Sequence, residues 1–312
     1  MTVPFYPEFV TLSLDLKDEI HSRLCLAPDG VSEFSFGGLY LFRQRYQYKV
    51  SRFNTANQDD AKQVSALIFS GIQPPHSEGE ESRTFFLTPC AAPGRDILAE
   101  LFKTHDYWKN IPDSVLLPNA AHFEEWGIEI IEDRDNFDYL YLRSDLAELA
   151  GKKFHKKRNL IAQFNTSYKA IEKALSPELV PDALEVTERW KMEKGEVGDY
   201  SAAVEALGLF RELNMQGSIF YIEGKAAAWC LGEGIAGNSI FAIHFEKALE
   251  KYKGIYQYMN QCFASSLPDN FVHLNREQDL GDEGLRQAKM SYRPSGFVRK
   301  HRGKLIDKPS SL

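Results

Sequence analysis

Two hydrophobic rhythms alternate along the 312 residues. Apolar positions three and four apart predict helices, and short alternating or continuous apolar runs between turn formers predict strands. The helical rhythm covers Leu14 to Leu26, closed by "APDG", and then 32–46, where Phe36, Leu39, Tyr40 and Phe42 recur at roughly helical spacing. Strands fit 48–53, 64–71 and 83–89, the last two parted by the polar loop "IQPPHSEGEES". Residues 94–108 read as a helix whose glycine and aspartate suit its start. Residues 127–149 supply a strand, an acidic turn, an aromatic strand and the start of another helix.

The pattern changes at 151–175, where Phe154, Ile161, Phe164 and Tyr168 can share one helical face while lysines occupy the others. This basic helix reads as a connector that ends at 177–181. It divides the chain into 1–148 and 149–312, each long enough to bury a core. The second half continues with helices at 182–194 and 201–213, two strands in 217–235 hinged at Gly224, and a strand at 238–245. A helix at 252–267, a strand at 270–275 and a helix at 282–292 follow. Strands and helices mixed in this order predict an α+β fold with mixed sheets.

Composition removes several function classes. With 37 basic and 44 acidic residues the net charge is −7, which argues against a general nucleic-acid coat and leaves only local basic patches. Cys25, Cys90, Cys230 and Cys262 are too scattered for a disulfide framework or a zinc site. The stretch 226–245 has the length of a membrane helix, but Glu233 and three glycines interrupt it, and Gly237-Asn238 reads as a hairpin turn. No transmembrane span and no secretory signal are expected, which makes the cytoplasm the expected compartment. Serine-hydrolase, zincin, Walker A and dinucleotide fingerprints are all missing from the sequence.

The densest chemistry lies in "HLNREQDLGDEGLRQAKMSYRPSG" at 273–296, which reads as strand, turn and helix. Asp279 and Gly281 suit a tight exit, and Asp282 suits a helix cap. Arg286, Lys289 and Arg293 fall at i, i+3 and i+7, so three cations can converge on a phosphate. Asn275, Glu277 and Asp279 can hold an ammonium group or take a proton. The same residues also fit a capped, solvated helix with local ion pairs, and that reading stays open. A second cluster, "GKKFHKKRN" at 151–159, sets Lys152 against Lys156 and Lys153 against Lys157 at i, i+4. Such like pairs repel by a few tenths of a kcal/mol unless an anion lies between them. A solvated helix face is again the alternative.

These two segments, with "FSFGGLYLFR" at 34–43 and "FFLTP" at 85–89, resemble the bacterial family that shares the C-terminal synthase domain of phosphatidylglycerol lysyltransferase. The resemblance implies two tandem GNAT-like (acyl-CoA N-acyltransferase) domains, related to Fem-type transferases that move aminoacyl groups from charged tRNA to an amine or hydroxyl. It implies an acyltransferase with its site between the halves. Glu277, Asp279 and Lys289 would be catalytic. Lys153, His155, Lys157, Arg158, Asn159, Asn275, Arg276, Gly281, Arg286 and Tyr292 would bind the donor or substrate. No metal and no certain cofactor is implied. Aminoacyl-tRNA or acyl-CoA would serve as donor, and a small molecule, a peptide or a lipid headgroup as acceptor. Two departures narrow this. The membrane portion of full-length lysyltransferases is not expected here, and "KYKGIYQ" at 251–257 reproduces the coenzyme A loop poorly. A non-catalytic nucleotide- or tRNA-binding module and an acetyl-CoA-dependent small-molecule N-acetyltransferase are the alternatives.

Overall fold

A computed structural model describes residues 2–25, 27–55, 65–75, 79–195 and 198–306. Leu26, Val64 and positions 76–78 of the expected loop lie outside the described residues. The chain forms two compact units, Met1–Phe137 with Val298–Leu312, and Asp138–Phe297.

The first unit contains β1 (Val10–Thr11), α1 (Lys17–Leu24), α2 (Phe36–Leu41), α3 (Arg43–Tyr46), β2 (Lys49–Asn54), β3 (Ser65–Gln73) and β4 (Arg83–Leu87). It continues through α4 (Arg95–Thr104), β5 (Tyr107–Pro112), α5 (Asp113–Leu116), α6 (Ala120–Glu125) and β6 (Ile128–Glu132). The second opens with β7 (Asp138–Leu142), α7 (Arg143–Glu148), α8 (His155–Ser167), β8 (Ala170–Ala174), α9 (Val180–Lys194) and α10 (Tyr200–Leu209). Then come β9 (Gln216–Ile222), β10 (Lys225–Ile235), β11 (Ile240–Ala248), α11 (Ile255–Ser266), β12 (His273–Asn275), α12 (Glu283–Met290) and β13 (Gly296–Val298). The last element among the described residues is β14 (Lys300–Leu305).

Each sheet has seven strands, in the orders β1-β2-β3-β4-β5-β14-β6 and β13-β7-β12-β11-β10-β9-β8. Read from opposite ends the two orders follow one plan: four strands in sequence, a fifth parallel to the fourth, then two more. A helical crossover makes the parallel step in both, α4 between β4 and β5 and α11 between β11 and β12. The plan is completed by exchange. The strand beside β5 is β14, from the far end of the chain, and the strand beside β12 is β7, which precedes the rest of its sheet. This is why residues 138–148, expected in the first half, belong to the second unit, and why β14, expected in the second half, belongs to the first.

The α+β class follows from this mixture. The connector helix is shorter than its sequence pattern predicts: α8 ends at Ser167, and 170–174 becomes the edge strand β8, paired antiparallel with β9 from Ala170↔Ile222 to Ala174↔Ser218. The open edge of β9 recruits backbone that helical spacing alone assigned to α8. Ile161 and Phe164 still point inward, Phe164 joining a core that α11 supplies through Ile255, Met259 and Phe263 and Ile161 packing with Leu149 and Phe154. Among the described residues no helix is long and apolar enough to cross a membrane.

Candidate active site

The second unit gathers its polar side chains where β12 stops. Asn275, the last residue of β12, is fully buried; its Nδ2 donates to Asp138 (3.0 Å) and its Oδ1 accepts from the Glu277 amide (2.7 Å). The chain then turns through left-handed backbone at Glu277 (φ 55°), Leu280 (φ 53°) and Gly281 (φ 82°). Two of these residues are not glycine, so the surroundings must hold the turn. Asp279 is the holder. Its buried carboxylate accepts from the Tyr139 hydroxyl (2.6 Å), the Gly281 amide (2.9 Å) and two Arg286 nitrogens (2.9 and 2.7 Å). Burial alone would raise this carboxyl, but the bonds from Arg286, Tyr139 and Gly281 hold it far below the usual aspartate range. Asp282 caps α12 through the Leu285 amide (2.7 Å), as its sequence position suggests.

The three-cation face expected on α12 is arranged differently. Arg286 is drawn to Asp279, and Arg293 lies beyond the helix end at φ 55° and is exposed. The convergent cations are Arg276, Lys289 and Lys157. Arg276 bonds Glu246 through Nε (3.3 Å) and Nη2 (2.7 Å), while its Nη1 is buried without a hydrogen bond of ordinary geometry. Its guanidinium lies 4.9 Å from the Tyr292 ring centre, and the Lys157 ammonium lies 3.8 Å from the same centre. Lys157 also donates to Ser291 (2.7 Å). Lys289 donates to the backbone oxygens of Arg276 and Glu277. Burial, reinforced by the Arg276 charge, lowers both lysines to about 8. The Tyr292 hydroxyl is buried and also lacks a well-formed bond; burial pushes it up to about 12, against the pull of Arg276.

A row of acid, base and acid lies next to this cluster. The His244 side chain is 3% exposed; Nδ1 is 2.7 Å from Oε1 of Glu277 and Nε2 is 3.2 Å from Oε1 of Glu233, which is equally buried. Burial would lower this imidazole, yet the two carboxylates raise it to about 10, so it carries a proton on each nitrogen near neutrality. A β-bulge explains its direction. Leu231 pairs with Phe245 and Gly232 with Ile243, which leaves His244 as the extra residue in β11. Phe241 and Ile243 join the core shared with α11, whereas Phe245 meets Trp229 and Lys247 meets Trp190, so the alternation changes phase at this position.

The "GKKFHKKRN" segment divides. Lys157 reaches the cluster. Arg158 instead donates to the Leu149 and Gly151 carbonyls, closing the end of α7, and Lys153 pairs with Asp145 (2.7 Å). His155 and Asn159 are exposed on α8. Of the residues singled out in the sequence, Asn275, Arg276, Glu277, Asp279, Gly281, Arg286, Lys289 and Tyr292 surround one turn, with Lys157 joining from α8. Glu233, His244 and Glu246 were not anticipated. The one available signal was the presence of acids and a histidine inside strands otherwise apolar enough to be weighed as a membrane span.

The family model described as phosphatidylglycerol lysyltransferase, C-terminal, matches residues 26–301. The crystal structure of a conserved Bacteroides thetaiotaomicron protein of unknown function superposes with a TM-score of 0.81 at 27% identity, over 96% of this chain and 99% of that one. FemX superposes with a TM-score of 0.59 at 7% identity, over 96% of this chain and 97% of that one, a likeness of fold alone. A protein of Mycoplasmoides gallisepticum is 25% identical over 189 residues, 58% of this chain; the match spans 60% of that relative's length. The likeness to FemX is one of fold, and the expected α+β architecture of mixed sheets stands in both units.

Proposed function

Because the chain belongs to the family of the phosphatidylglycerol lysyltransferase C-terminal domain, we propose that it is an aminoacyltransferase acting at the turn after β12. It moves an aminoacyl group from a tRNA-like ester to an amine or hydroxyl. The observation that carries this reading is the convergence there of three cations, Arg276, Lys157 and Lys289, about one buried turn, with Arg276 Nη1 and the Tyr292 hydroxyl beside them. A guanidinium beside two ammonium groups suits an anion or a developing oxyanion.

In this reading Arg276 Nη1 and Lys157 hold the negative charge of the donor or of the tetrahedral intermediate. Glu277 receives the proton of the attacking acceptor. Lys289 fixes the turn through the Arg276 and Glu277 carbonyls and adds charge near the reacting carbonyl. Asp279 and Arg286, which hold each other, keep the turn in shape and do not meet substrate. Lys153, His155 and Asn159 line an approach for an anionic donor. Positioning and oxyanion stabilisation supply most of the acceleration.

The test is transfer of a radiolabelled aminoacyl group from a panel of charged tRNAs to amine, hydroxyl and lipid-headgroup acceptors, with acetyl-CoA as a parallel donor. Arg276→Lys and Lys289→Ala are expected to lower transfer about a hundredfold or more, the loss typical of one oxyanion donor, with unchanged circular dichroism. Full activity in either variant, or turnover with acetyl-CoA alone, would overturn the reading.

A further inference from the structure

The row of Glu233, His244 and Glu277 has no task in the scheme above beyond the proton that Glu277 receives. We propose that His244 is a positioning residue: backed by Glu233, it pins one oxygen of Glu277 so that the other faces the acceptor. This rests on the transferase reading of the same site.

Three observations carry it. First, the backbone of Glu277 is already fixed, since its amide donates to Asn275, its carbonyl accepts from the Tyr139 amide (3.2 Å) and from Lys289, and its φ is 55°. Side-chain rotation is the freedom that remains, and the 2.7 Å contact with His244 removes it. Second, exposure rises along the row from 3% at the side chains of Glu233 and His244 to 28% at Glu277. Glu277 is therefore the member that can meet a substrate, and the other two stand behind it. Third, the bulge spends one unpaired residue of β11 to aim His244 this way. A histidine serving only the core needs one partner and no charge; a buried imidazole between two carboxylates is a charged clamp. Beyond Glu233 and Glu277, the charged groups tied to the row are Arg276 with its partner Glu246, Lys247 with its partner Asp199, and Lys289 with Asp138 near it, both ammonium groups acting on the Glu277 charge.

The proton path then closes without another reactant. The acceptor N–H or O–H proton passes to the outer oxygen of Glu277 as the acceptor atom bonds the ester carbonyl. It passes on to the leaving ribose oxygen as the ester C–O bond breaks. His244 keeps both of its protons throughout.

The experiment joins nuclear magnetic resonance with kinetics on the full chain. In protein labelled with ¹⁵N-histidine, both ring nitrogens of His244, assigned by loss of the signal in His244→Phe, are expected to stay protonated from pH 6.5 to 9. A bare nitrogen at pH 7.5 would overturn the proposal. Glu233→Gln keeps a hydrogen-bond partner and the fold, and is expected to move the His244 titration down by at least one pH unit. A fall of kcat near pH 8, where Lys157 and Lys289 lose their charge, should stay in place, the further fall where His244 deprotonates should move with its titration, and KM for the donor should stay within about twofold. A kcat profile that ignores the displaced titration would also sink the idea. Wild-type protein silent with every donor would remove the transferase reading and this proposal with it, whereas active wild type with an indifferent Glu233→Gln removes His244 alone.

Discussion

Lys157 and Lys289 stand beside Arg276 and are held near pH 8, against about 10.4 for an unperturbed lysine. Each is charged at neutrality and loses its proton as pH rises past 8, so an anion bound at Arg276 should lose two supporting charges between pH 7 and 9.5. Pyrophosphate, as a probe, is expected to bind about tenfold more weakly at the upper pH, roughly one charge-assisted hydrogen bond; titration calorimetry at the two pH values checks this. Asp279 works in the opposite sense. Its carboxyl is depressed in the folded protein, so the stability it contributes is present above the ordinary aspartate value of about 3.9 and is lost as pH falls below it. Arg286→Ala strands this buried carboxylate and should cost about 2 kcal/mol, less than the roughly 3–5 kcal/mol of a fully buried pair because Arg286 is a third exposed. Urea unfolding at pH 7 would show the loss, and it should shrink at pH 3. Much of this site was legible in sequence because Asn275 to Tyr292 are neighbours along the chain. His244, Glu233 and Glu246 were not, since they reach the turn from two other strands and no spacing rule connects them. For Arg286 the sequence left two readings open, a phosphate ligand or a member of a local ion pair; the turn's left-handed geometry brings it to Asp279.

At the scale of the element, β10 and β11 were visible as apolar runs and their hairpin as Gly237-Asn238. The bulge between them was not, because one inserted residue leaves composition and periodicity nearly untouched. Gly232 bears directly on it. A Cβ there would overlap the Ala242 carbonyl oxygen and crowd the Phe241 ring, so the two strands can approach as they do beside the bulge only with glycine. Gly232→Ala is expected to destabilise the second unit by about 2 kcal/mol, as overpacking does, and to weaken the His244–Glu277 contact as the strands part. Thermal unfolding and the His244 resonance would report the two effects separately. The α8 helix makes the complementary point: its inward face was read correctly, but its end was not, since the pairing of β8 with β9 is a long-range event that local pattern does not contain.

Across the whole molecule the strand exchange decides what can be removed. β14 lies inside the first sheet, hydrogen-bonded to β5 on one side and to β6 on the other, and Lys300 within it is buried against Glu33 while Arg302 meets Asp133 at 2.7 Å. Ending the chain after Phe297 should therefore disrupt the first unit, more than 160 positions away in sequence from β6. Limited proteolysis is expected to cleave within 1–137 while fragments of 138–297 persist, and equal resistance to the full chain would contradict this. Sequence reading placed the domain boundary near 148 because composition changes there; which sheet a strand joins depends on pairing that composition does not record. The same exchange also sets a schedule for synthesis. A ribosome makes β1 to β6 before β14, and the whole of the second unit, 138–297, comes between them. The first sheet must wait, with the edges of β5 and β6 open, for all of the second unit to be translated, so this protein gains little from folding domain by domain as it is made and depends on whatever shields those edges in the interval.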